Sequence, residues 1–276
     1  MKLPTLSVVM TIHDRKPEVM ETVFKSLEGQ GANELVVVFD KPEPGVREAA
    51  REFGYDYMKN PDNGIAVEVN IDRDPGWLCP AAAWNRGFQE VTSELTYCIS
   101  SETIQAEGNI RKAKEILSGA PSALFGKCED NGETPVVTGP NQHLLCGVQQ
   151  PRPLGFIMCM PTWAVRVTGG YDEGFMGGYG WEDDDFAYRL WRTGLPFIFS
   201  DEVSGIHQHH ARPFLQERDK IDKNRNYIIE KWGEEHPWVS AKKQALKPRE
   251  DQLILFPENS DGLAEWWNGL VQRRKG

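Results

Sequence analysis

The sequence predicts an α/β protein whose core is a mostly parallel sheet, and its N-terminal part carries the evidence. Leu6–Ile12 is a short, almost wholly apolar run, as expected of a strand buried on both faces. A second such run lies at 34–39, and a short third strand is predicted at 55–58. Helical patterns at 17–30 and 44–53 separate these strands. This alternation of strands and helices is typical of the start of a doubly wound parallel sheet.

The rest of the chain continues the alternation. Turn signals predict a loop at 60–80, and weak periodicity predicts an irregular connection at 141–153. We expect one domain at 1–238 and a C-terminal extension at 239–276. The extension contains an amphipathic helix at 261–274, which packs on its own domain or contacts a membrane surface or a partner. The remaining predicted helices are 80–91, 110–117, 161–167, 186–191 and 221–232, and the strands are 95–99, 123–127, 134–137, 155–160 and 196–199, the last continuing to 210.

Composition restricts the function classes. The chain of 276 residues carries a net charge of −10 with pI ≈ 5.2, which argues against a surface built for non-specific nucleic-acid binding. Its five cysteines are odd in number and widely spaced, and none forms a CxxC pair. We therefore expect reduced thiols and a cytoplasmic protein. A strand pattern begins within the first residues, so we expect no secretory leader. No apolar run approaches the about 20 residues that a transmembrane helix needs.

The segment 169–185 combines glycines with carboxylates. Six glycines occupy twelve positions from Gly169 to Gly180, and four consecutive acids follow at 182–185. Acids in the first turn of a helix complement its dipole, which is the structural interpretation of this run. Four adjacent acids also repel one another, however, and the glycine loop that precedes them permits close approach of a ligand. The pattern therefore favours a binding or catalytic site.

A family resemblance rests on this segment. Residues 169–190 resemble the GGYDE, GW and ED motifs, followed by RL, of metal-dependent glycosyltransferases with the GT-A fold. The segment is similar to family 2 enzymes, including chondroitin-polymerase-type domains, and to β-1,4-galactosyltransferases. The resemblance, which extends over about 6–233, implies a Rossmann-like sheet with an irregular acceptor-side region. It also implies that Asp183 is the catalytic base, with Glu182 beside it. The implied acceptor- or sugar-binding residues are Tyr179, Trp181 and Asp184.

Two strand ends are the predicted nucleotide site. Ligands bind open α/β sheets outside the carboxyl ends of the strands, which singles out 11–15 and Asp40. The resemblance implies that these ends hold the nucleotide, with the aspartate near the base. The alternative is that Asp14 and Asp40 only cap turns. The helix at 80–91 resembles the A-R-N-x-G helix of the family, with Trp84 where arginine is usual. The implied nucleotide-binding residues are Thr11, His13, Arg15, Asp40 and Asn85.

The metal site departs from the family pattern. Family members place Asp-x-Asp after the fourth strand, where this chain has Ser100-Ser101-Glu102. Glu102 still offers carboxylate oxygen to Mn²⁺ or Mg²⁺, whereas serine cannot supply the first charge. By register with the chondroitin-type pattern His207 is the second predicted ligand, and His209 is the next choice. The alternative is a metal-free site whose positive charge comes from Arg15, Arg73 or Arg86.

The resemblance implies transfer of a hexose or N-acetylhexosamine from a nucleotide sugar, UDP-linked, to an acceptor hydroxyl with inversion. A nucleotidyltransferase is a rival, but the glycine-rich, lysine-bearing loop expected after its first strand is missing at 13–16. A nucleotide-sugar-binding or lectin-like module without catalysis is a second rival. Ser100-Ser101-Glu102 favours that rival, and the pair Glu182-Asp183 opposes it. A glycan, a protein side chain, a lipid-linked sugar and a modified nucleic-acid base all remain open as the acceptor.

Overall fold

The computed structural model describes residues 2–59, 65–132, 143–208, 210, 217–233 and 252–255, with the backbone alone at 53–59, 65–66 and 252–255. Within these ranges the strands are β1 (Leu6–Ile12), β2 (Glu34–Asp40), β3 (Ile65–Ile71), β4 (Leu95–Ser100), β5 (Thr103–Gln105), β6 (Ala123–Asp130), β7 (Leu144–Cys146), β8 (Ile157–Pro161), β9 (Phe197–His207) and β10 (Gln252–Leu255). The helices are α1 (Pro17–Leu27), α2 (Val46–Lys59), α3 (Ala81–Glu90), α4 (Asn109–Leu117), α5 (Thr162–Thr168), α6 (Glu182–Arg192) and α7 (Arg218–Trp232).

All the described strands belong to one sheet, in the order β10-β9-β6-β8-β4-β1-β2-β3. Strands β3, β2, β1 and β4 are parallel neighbours, and β6 is parallel to β9. Strand β8 runs antiparallel between β4 and β6, and β10 runs antiparallel at the far edge. The short strands β5 and β7 pair with β9 and β6. The predicted α/β fold with a mostly parallel sheet is therefore confirmed.

Helices cover both faces of the sheet. On β1, Val9 packs into a cluster formed with α3, α5 and α6, whereas Val8 and Met10 pack into a second cluster formed with α1 and α4. This alternation follows from the two-residue period of a strand, which sends neighbouring side chains to opposite faces. A strand covered on both faces needs apolar residues at every position, so the apolar run that predicted β1 is explained.

The third strand was predicted in the wrong place. Residues 55–58 continue α2, and β3 lies at Ile65–Ile71, inside the predicted loop 60–80. Gly54 does not end α2, because a glycine inside a helix costs only about 1 kcal/mol relative to alanine. The irregular connection predicted at 141–153 also contains a strand, β7.

The C-terminal prediction is tested only in part. The predicted strand 134–137 and the predicted helix 261–274 lie outside the described residues. Gln252–Leu255 falls in the predicted extension and pairs with β9, so a short part of the extension adds to the sheet. The domain boundary at 238 stays a prediction. Among the helices that the structure describes, none is long and apolar enough to cross a membrane.

One edge of the sheet brings together several chain segments. The parallel strands β1, β2 and β4 end at this edge. Strand β8 is antiparallel to β4 and therefore begins there, where the Ser100 N–H donates to the Phe156 carbonyl at 3.1 Å. Helix α6 begins at the same edge, because the Gly155 N–H donates to Asp183 in its first turn. The fold thus places the acids beside the strand ends.

Candidate active site

A pocket of about 220 Å³ lies at the carboxyl edge of the parallel strands. It is lined by residues at and just after the carboxyl ends of β1, β2 and β4, by the residues before β8, and by the first turn of α6. Arg73, Cys79 and Trp84 also contribute to its wall. The residues predicted from the sequence that line it are Thr11, His13, Arg15, Asp40, Glu102, Glu182 and Asp183.

Backbone strain is concentrated around this pocket. Three described non-glycine residues have positive φ: Asp14 (46°), Lys41 (55°) and Trp181 (72°). Asp14 lies between two residues of the pocket lining, and Lys41 and Trp181 each lie next to one. Residues in this conformation cost of order 1–3 kcal/mol each and cluster at functional sites. The strain therefore agrees with a ligand site at this edge.

The four consecutive acids divide into two pairs. Asp184 and Asp185 are fully buried, and each binds an arginine. Arg152 donates to Asp184 at 2.8 Å, and Arg189 donates to Asp185 at 2.8 Å. Lys231 of α7 also lies 2.8 Å from Asp185. These two acids fix α6 in the fold, while the other two line the pocket.

Asp183 is held by two donors. The Tyr171 hydroxyl donates to its Oδ1 at 2.8 Å, and the Gly155 N–H donates to its Oδ2 at 3.1 Å. Tyr171 is itself fixed by stacking on Phe186 at 4.5 Å and on Trp84 at 6.1 Å, measured between ring centroids. Burial raises the pKa of Asp183, and the two hydrogen bonds oppose that rise. Each carboxylate oxygen keeps a second lone pair, so Asp183 can still accept a proton.

Glu182 differs from Asp183 in its bonding. Its Oε2 is buried without a hydrogen-bond partner among the described residues. Burial, reinforced by the charge of Asp183, raises the pKa of Glu182 to about 8. Two adjacent carboxyls with separate environments are a common source of distinct acid and base roles. The pocket thus contains one carboxyl that is hydrogen-bonded and one that favours its protonated form.

We expect Glu182→Gln to change how stability depends on pH. The folded pKa of about 8 exceeds the ordinary value of 4.5, so folding favours the neutral carboxyl. Wild-type stability should therefore fall as the pH rises from 4.5 to about 8, and the glutamine variant should not show that fall. Melting curves at pH 5 and pH 9 test this, with about 2–4 °C in Tm for each kcal/mol recovered. Parallel profiles for the two proteins would contradict it.

Three further side chains form a candidate metal centre. Glu102, His207 and His210 each offer a ligand atom, and these atoms lie within 4.8 Å of one another. Oε1 of Glu102 lies 3.2 Å from Nε2 of His210 and 4.0 Å from Nε2 of His207. A carboxylate and two imidazoles can hold a divalent metal ion, and Mn²⁺ is one that accepts such ligands. The sequence predicted His207 as a ligand and did not predict His210, although the three-residue spacing between these two histidines was a usable signal. His209 lies outside the described residues.

Glu102 is buried, yet its carboxyl group favours the ionised form. Burial alone would raise its pKa, but the hydrogen bond with His210 and the charge of Arg15 hold the pKa well below its usual value. The hydroxyls of Ser100 and Ser101 donate to Oε2 at 2.8 and 2.7 Å, and Arg15 binds Oε1. The two serines that replace the family aspartate therefore orient Glu102.

Another part of the pocket wall is built around Asp40. Its side chain is 1% exposed, and its Oδ2 accepts a hydrogen bond from Arg73. Its Oδ1 is buried without a partner among the described residues. Nδ1 of His13 lies 2.7 Å from the Asp40 carbonyl oxygen. A buried acceptor without a partner is costly, so this oxygen is suited to a ligand that donates an N–H group.

Five predicted site residues are absent from the pocket lining: His207, which belongs to the candidate metal centre, and four others. Asn85 donates to the Tyr171 carbonyl at 2.9 Å and accepts from the Tyr171 N–H at 2.7 Å, so it fixes the glycine loop. Trp181 is 8% exposed and packs in the core. The Tyr179 N–H donates to the Lys220 carbonyl at 3.2 Å. The fourth is Asp184, which binds Arg152.

Comparisons with known proteins agree with this architecture. A family model described as the N-terminal domain of galactosyltransferase matches residues 142–211. No curated protein sequence matches the chain.

Solved structures resemble the whole fold. The mannosyltransferase PcManGT from Pyrobaculum calidifontis, in complex with GDP-Man and Mn²⁺, has a TM-score of 0.61 and 16% identity over 83% of this chain and 65% of that one. GalNAc-T7 with UDP, GalNAc and Mn²⁺ has a TM-score of 0.63 and 15% identity over 99% and 55%. S. aureus TarS with UDP-GlcNAc has a TM-score of 0.59 and 11% identity over 82% and 66%.

These matches confirm the resemblance to GT-A glycosyltransferases and show that the fold is the GT-A fold. The chain spans less than two thirds of the length of these solved structures, between 55% and 66%.

Proposed function

We propose that this chain is a glycosyltransferase that moves a hexose or N-acetylhexosamine from a UDP-sugar to an acceptor hydroxyl, with inversion at the anomeric carbon. The observation that carries the proposal is that Asp40, Glu102 and Asp183 line one pocket. Asp40 offers a buried acceptor, the centre of Glu102, His207 and His210 can take a cation, and Asp183 is a hydrogen-bonded base. A nucleotide sugar has three corresponding parts, namely a base, a diphosphate and a reacting carbon.

The Asp40 end of the pocket supports uridine as the nucleoside. Uracil presents one N–H flanked by two carbonyl groups. Asp40 has one oxygen without a partner, and the guanidinium of Arg73 lies beside it as a donor. Guanine presents two adjacent donors, which would need both carboxylate oxygens, and cytosine presents an acceptor at N3. The solved relatives bind GDP- and UDP-linked ligands, so this local pattern carries the choice of base.

The chemistry follows from the position of Asp183. The acceptor oxygen attacks the anomeric carbon, the bond from that carbon to the diphosphate oxygen breaks, and the hydroxyl proton passes to Asp183. General-base catalysis of this kind contributes about 10²–10⁴ in rate. Tyr171 and Gly155 hold the carboxylate in one orientation, so little reorganisation is needed before proton transfer. A single displacement of this kind inverts the configuration.

The chain's residues fit a divalent cation beside the diphosphate. Glu102, His207 and His210 would hold Mn²⁺ or Mg²⁺, and an anionic, largely buried Glu102 favours cation binding. When bound, the ion supplies positive charge for the departing diphosphate. Arg86, one of the arginines considered for a metal-free site, donates to Gln89 and pairs with Glu90 away from the pocket lining.

Neither rival is favoured over the transferase, because Ser100 and Ser101, which favoured the binding module in the sequence, orient Glu102. A binding module without catalysis needs no carboxylate in the pocket that is aligned by two donors, as Asp183 is. Nucleotidyl transfer lacks its expected loop after β1. The acceptor class stays open, as does the predicted role of the segment 239–276. The five free, buried cysteines support the proposed cytoplasmic location.

The proposal is tested with a panel of nucleotide sugars linked to UDP, GDP, CMP and dTDP, in the presence of Mn²⁺. We expect release of UDP from one UDP-sugar, slowly to water and faster once an acceptor is present. NMR of the product should show the anomeric configuration opposite to that of the donor. Binding of a UDP-sugar without any release under all conditions would favour the binding module, and retained configuration would discard single displacement.

We expect Asp40→Asn to remove the preference for uridine. Asparagine has no charge to bind Arg73, and its amide presents either an N–H or a neutral carbonyl to the ligand N–H, so the single acceptor is weakened. UDP should bind at least about tenfold more weakly, since a buried hydrogen bond is worth about 1.5 kcal/mol or more when one group is charged. Calorimetry with UDP and GDP measures both affinities. The control is Asp74→Asn on the exposed turn before Trp77, which should leave the ratio unchanged. An unchanged ratio in Asp40→Asn would contradict the uridine assignment.

A further inference from the structure

The positively charged Arg15 lies on the same carboxylate oxygen that the candidate metal centre needs. Oε2 of Glu102 is satisfied by the two serine hydroxyls, so Oε1 is the oxygen that remains for a cation. Both imidazoles approach Oε1, and the guanidinium of Arg15 binds Oε1 as well. A guanidinium and a divalent ion cannot both occupy this oxygen at full strength, because two cations held a few ångströms apart repel each other strongly in a buried site.

Arg15 is also incompletely bonded where it lies. Its Nε is buried without a hydrogen-bond partner among the described residues. Its remaining contact through NH1 is to the carbonyl of its neighbour Asp14 at 3.2 Å. Arg15 follows β1 and lines the same pocket as Asp40 and the acids of α6. An arginine with an unpaired buried donor is suited to an anionic oxygen that arrives in the pocket, and bidentate phosphate contacts are typical of arginine.

We propose that Arg15 exchanges partners during binding, moving from Oε1 of Glu102 to the donor diphosphate and so freeing Glu102 for the metal. This rests on the proposed function and adds a positioning role for Arg15 within it. In the free protein Arg15 neutralises Glu102 and competes with the cation. Once the diphosphate is present, Arg15 would bind phosphate oxygen, and Oε1 of Glu102 would then be available to hold a cation. Metal and nucleotide therefore bind cooperatively, and the cooperativity is larger than it would be if the phosphates acted only as metal ligands.

Arg73 cannot take this part. It lies in the same pocket, but it is 8% exposed and is held by Asp40 and by the Trp77 carbonyl. Its guanidinium is thus committed to the end where the base is proposed to bind. The exchange is specific to Arg15 because only this arginine contacts the carboxylate of the metal centre among the described residues.

The exchange makes one substitution act in opposite directions on two ligands. Without nucleotide, Arg15→Gln removes a competitor, so we expect Mn²⁺ to bind roughly tenfold more tightly, within the 5–150-fold range usual for linked sites. In EDTA, the same variant lacks a cation for the diphosphate, so UDP should bind more weakly than to wild type. A loss of packing or folding would weaken both ligands, and therefore could not produce this pair of effects.

The experiment measures Mn²⁺ binding by the loss of the free-ion EPR signal and UDP binding in EDTA by calorimetry. The proteins are wild type, Arg15→Gln and the control Arg86→Gln, whose arginine is exposed on α3 and outside the pocket lining. Circular dichroism checks folding, and Arg15→Met replaces the glutamine variant if that one folds poorly. We expect opposite shifts for the Arg15 variant and no shift for the control. Unchanged or weaker Mn²⁺ binding in the Arg15 variant would overturn the exchange.

The outcome is separable from that of the proposed function. Opposite shifts without any sugar transfer in the donor panel would retain the exchange and reject the transferase. Sugar transfer without opposite shifts would retain the transferase and reject the exchange. Glu102→Gln is measured alongside: if it fails to weaken Mn²⁺ binding in either background, the ion does not use this carboxylate and the exchange is overturned.

Discussion

Asp183→Asn should abolish turnover while leaving UDP-sugar binding within about twofold of wild type. The substitution keeps the shape of the side chain and both of its contacts. The new Oδ1 can accept from the Gly155 N–H, and the new amide can donate to the Tyr171 oxygen, because a hydroxyl is both donor and acceptor. Only the proton acceptor is lost, so a fall in kcat of about 10³-fold or more is expected. Steady-state kinetics and calorimetry separate the two quantities.

Two variants that retain the aspartate serve as controls for its orientation. A Cβ at position 155 would lie 2.7 Å from Oδ1 of Asp183, so Gly155→Ala should displace the carboxylate and lower kcat. Tyr171→Phe removes one donor and keeps the stacked ring, so its loss should be smaller. Turnover in Asp183→Asn comparable to wild type would move the base to another residue, with Glu182 the first to examine.

Chelation of the metal, or loss of Glu102, should be the second large effect. We expect EDTA, Glu102→Gln and His207→Ala each to lower the rate of sugar transfer at least about 100-fold, because the diphosphate leaves with its negative charge unbalanced. Added Mn²⁺ should restore activity in the chelated wild type and only partly in the variants. Glu107→Gln, an isosteric change of an exposed acid near α4, is the matched control and should retain full activity.

Equal activity in EDTA, with neither ligand substitution mattering, would end the metal assignment. Arg15 and Arg73 would then be the pocket residues that supply positive charge. Arg15→Gln would in that case reduce transfer directly.

Strands buried on both faces could be predicted from the sequence because burial on both faces requires a nearly continuous apolar run. Strands β1 and β2 are apolar at almost every position, whichever neighbours they have. Strand β3 was missed for a physical reason. Its sequence IAVEVNI alternates, as an edge strand can, and turn signals on both sides of it favoured a loop. The edge position, which removes the need for a continuous apolar run, is known only from the assembled sheet.

The site residues at strand ends were predictable from the sequence. Those whose place in the pocket depends on side-chain direction were not. Thr11, His13, Arg15 and Asp40 line the pocket because the ends of parallel strands share one edge. The acids at 182–185 were a single run in sequence, and the helical period divided them. Asp184 and Asp185 face arginines whose positions depend on tertiary structure, so residue type alone did not separate them from Asp183.

The burial of those two ion pairs has a consequence for ionic strength. Dissolved salt screens charges that face water within about 8 Å at 0.15 M, and it screens buried pairs much less. The contacts of Asp184 with Arg152 and of Asp185 with Arg189 should therefore persist in concentrated salt, because both carboxylates are fully buried. Capture of an anionic donor at the open pocket should weaken under the same conditions. Salt would then raise KM and leave kcat nearly constant, since the helix that carries Asp183 is secured independently of the solvent.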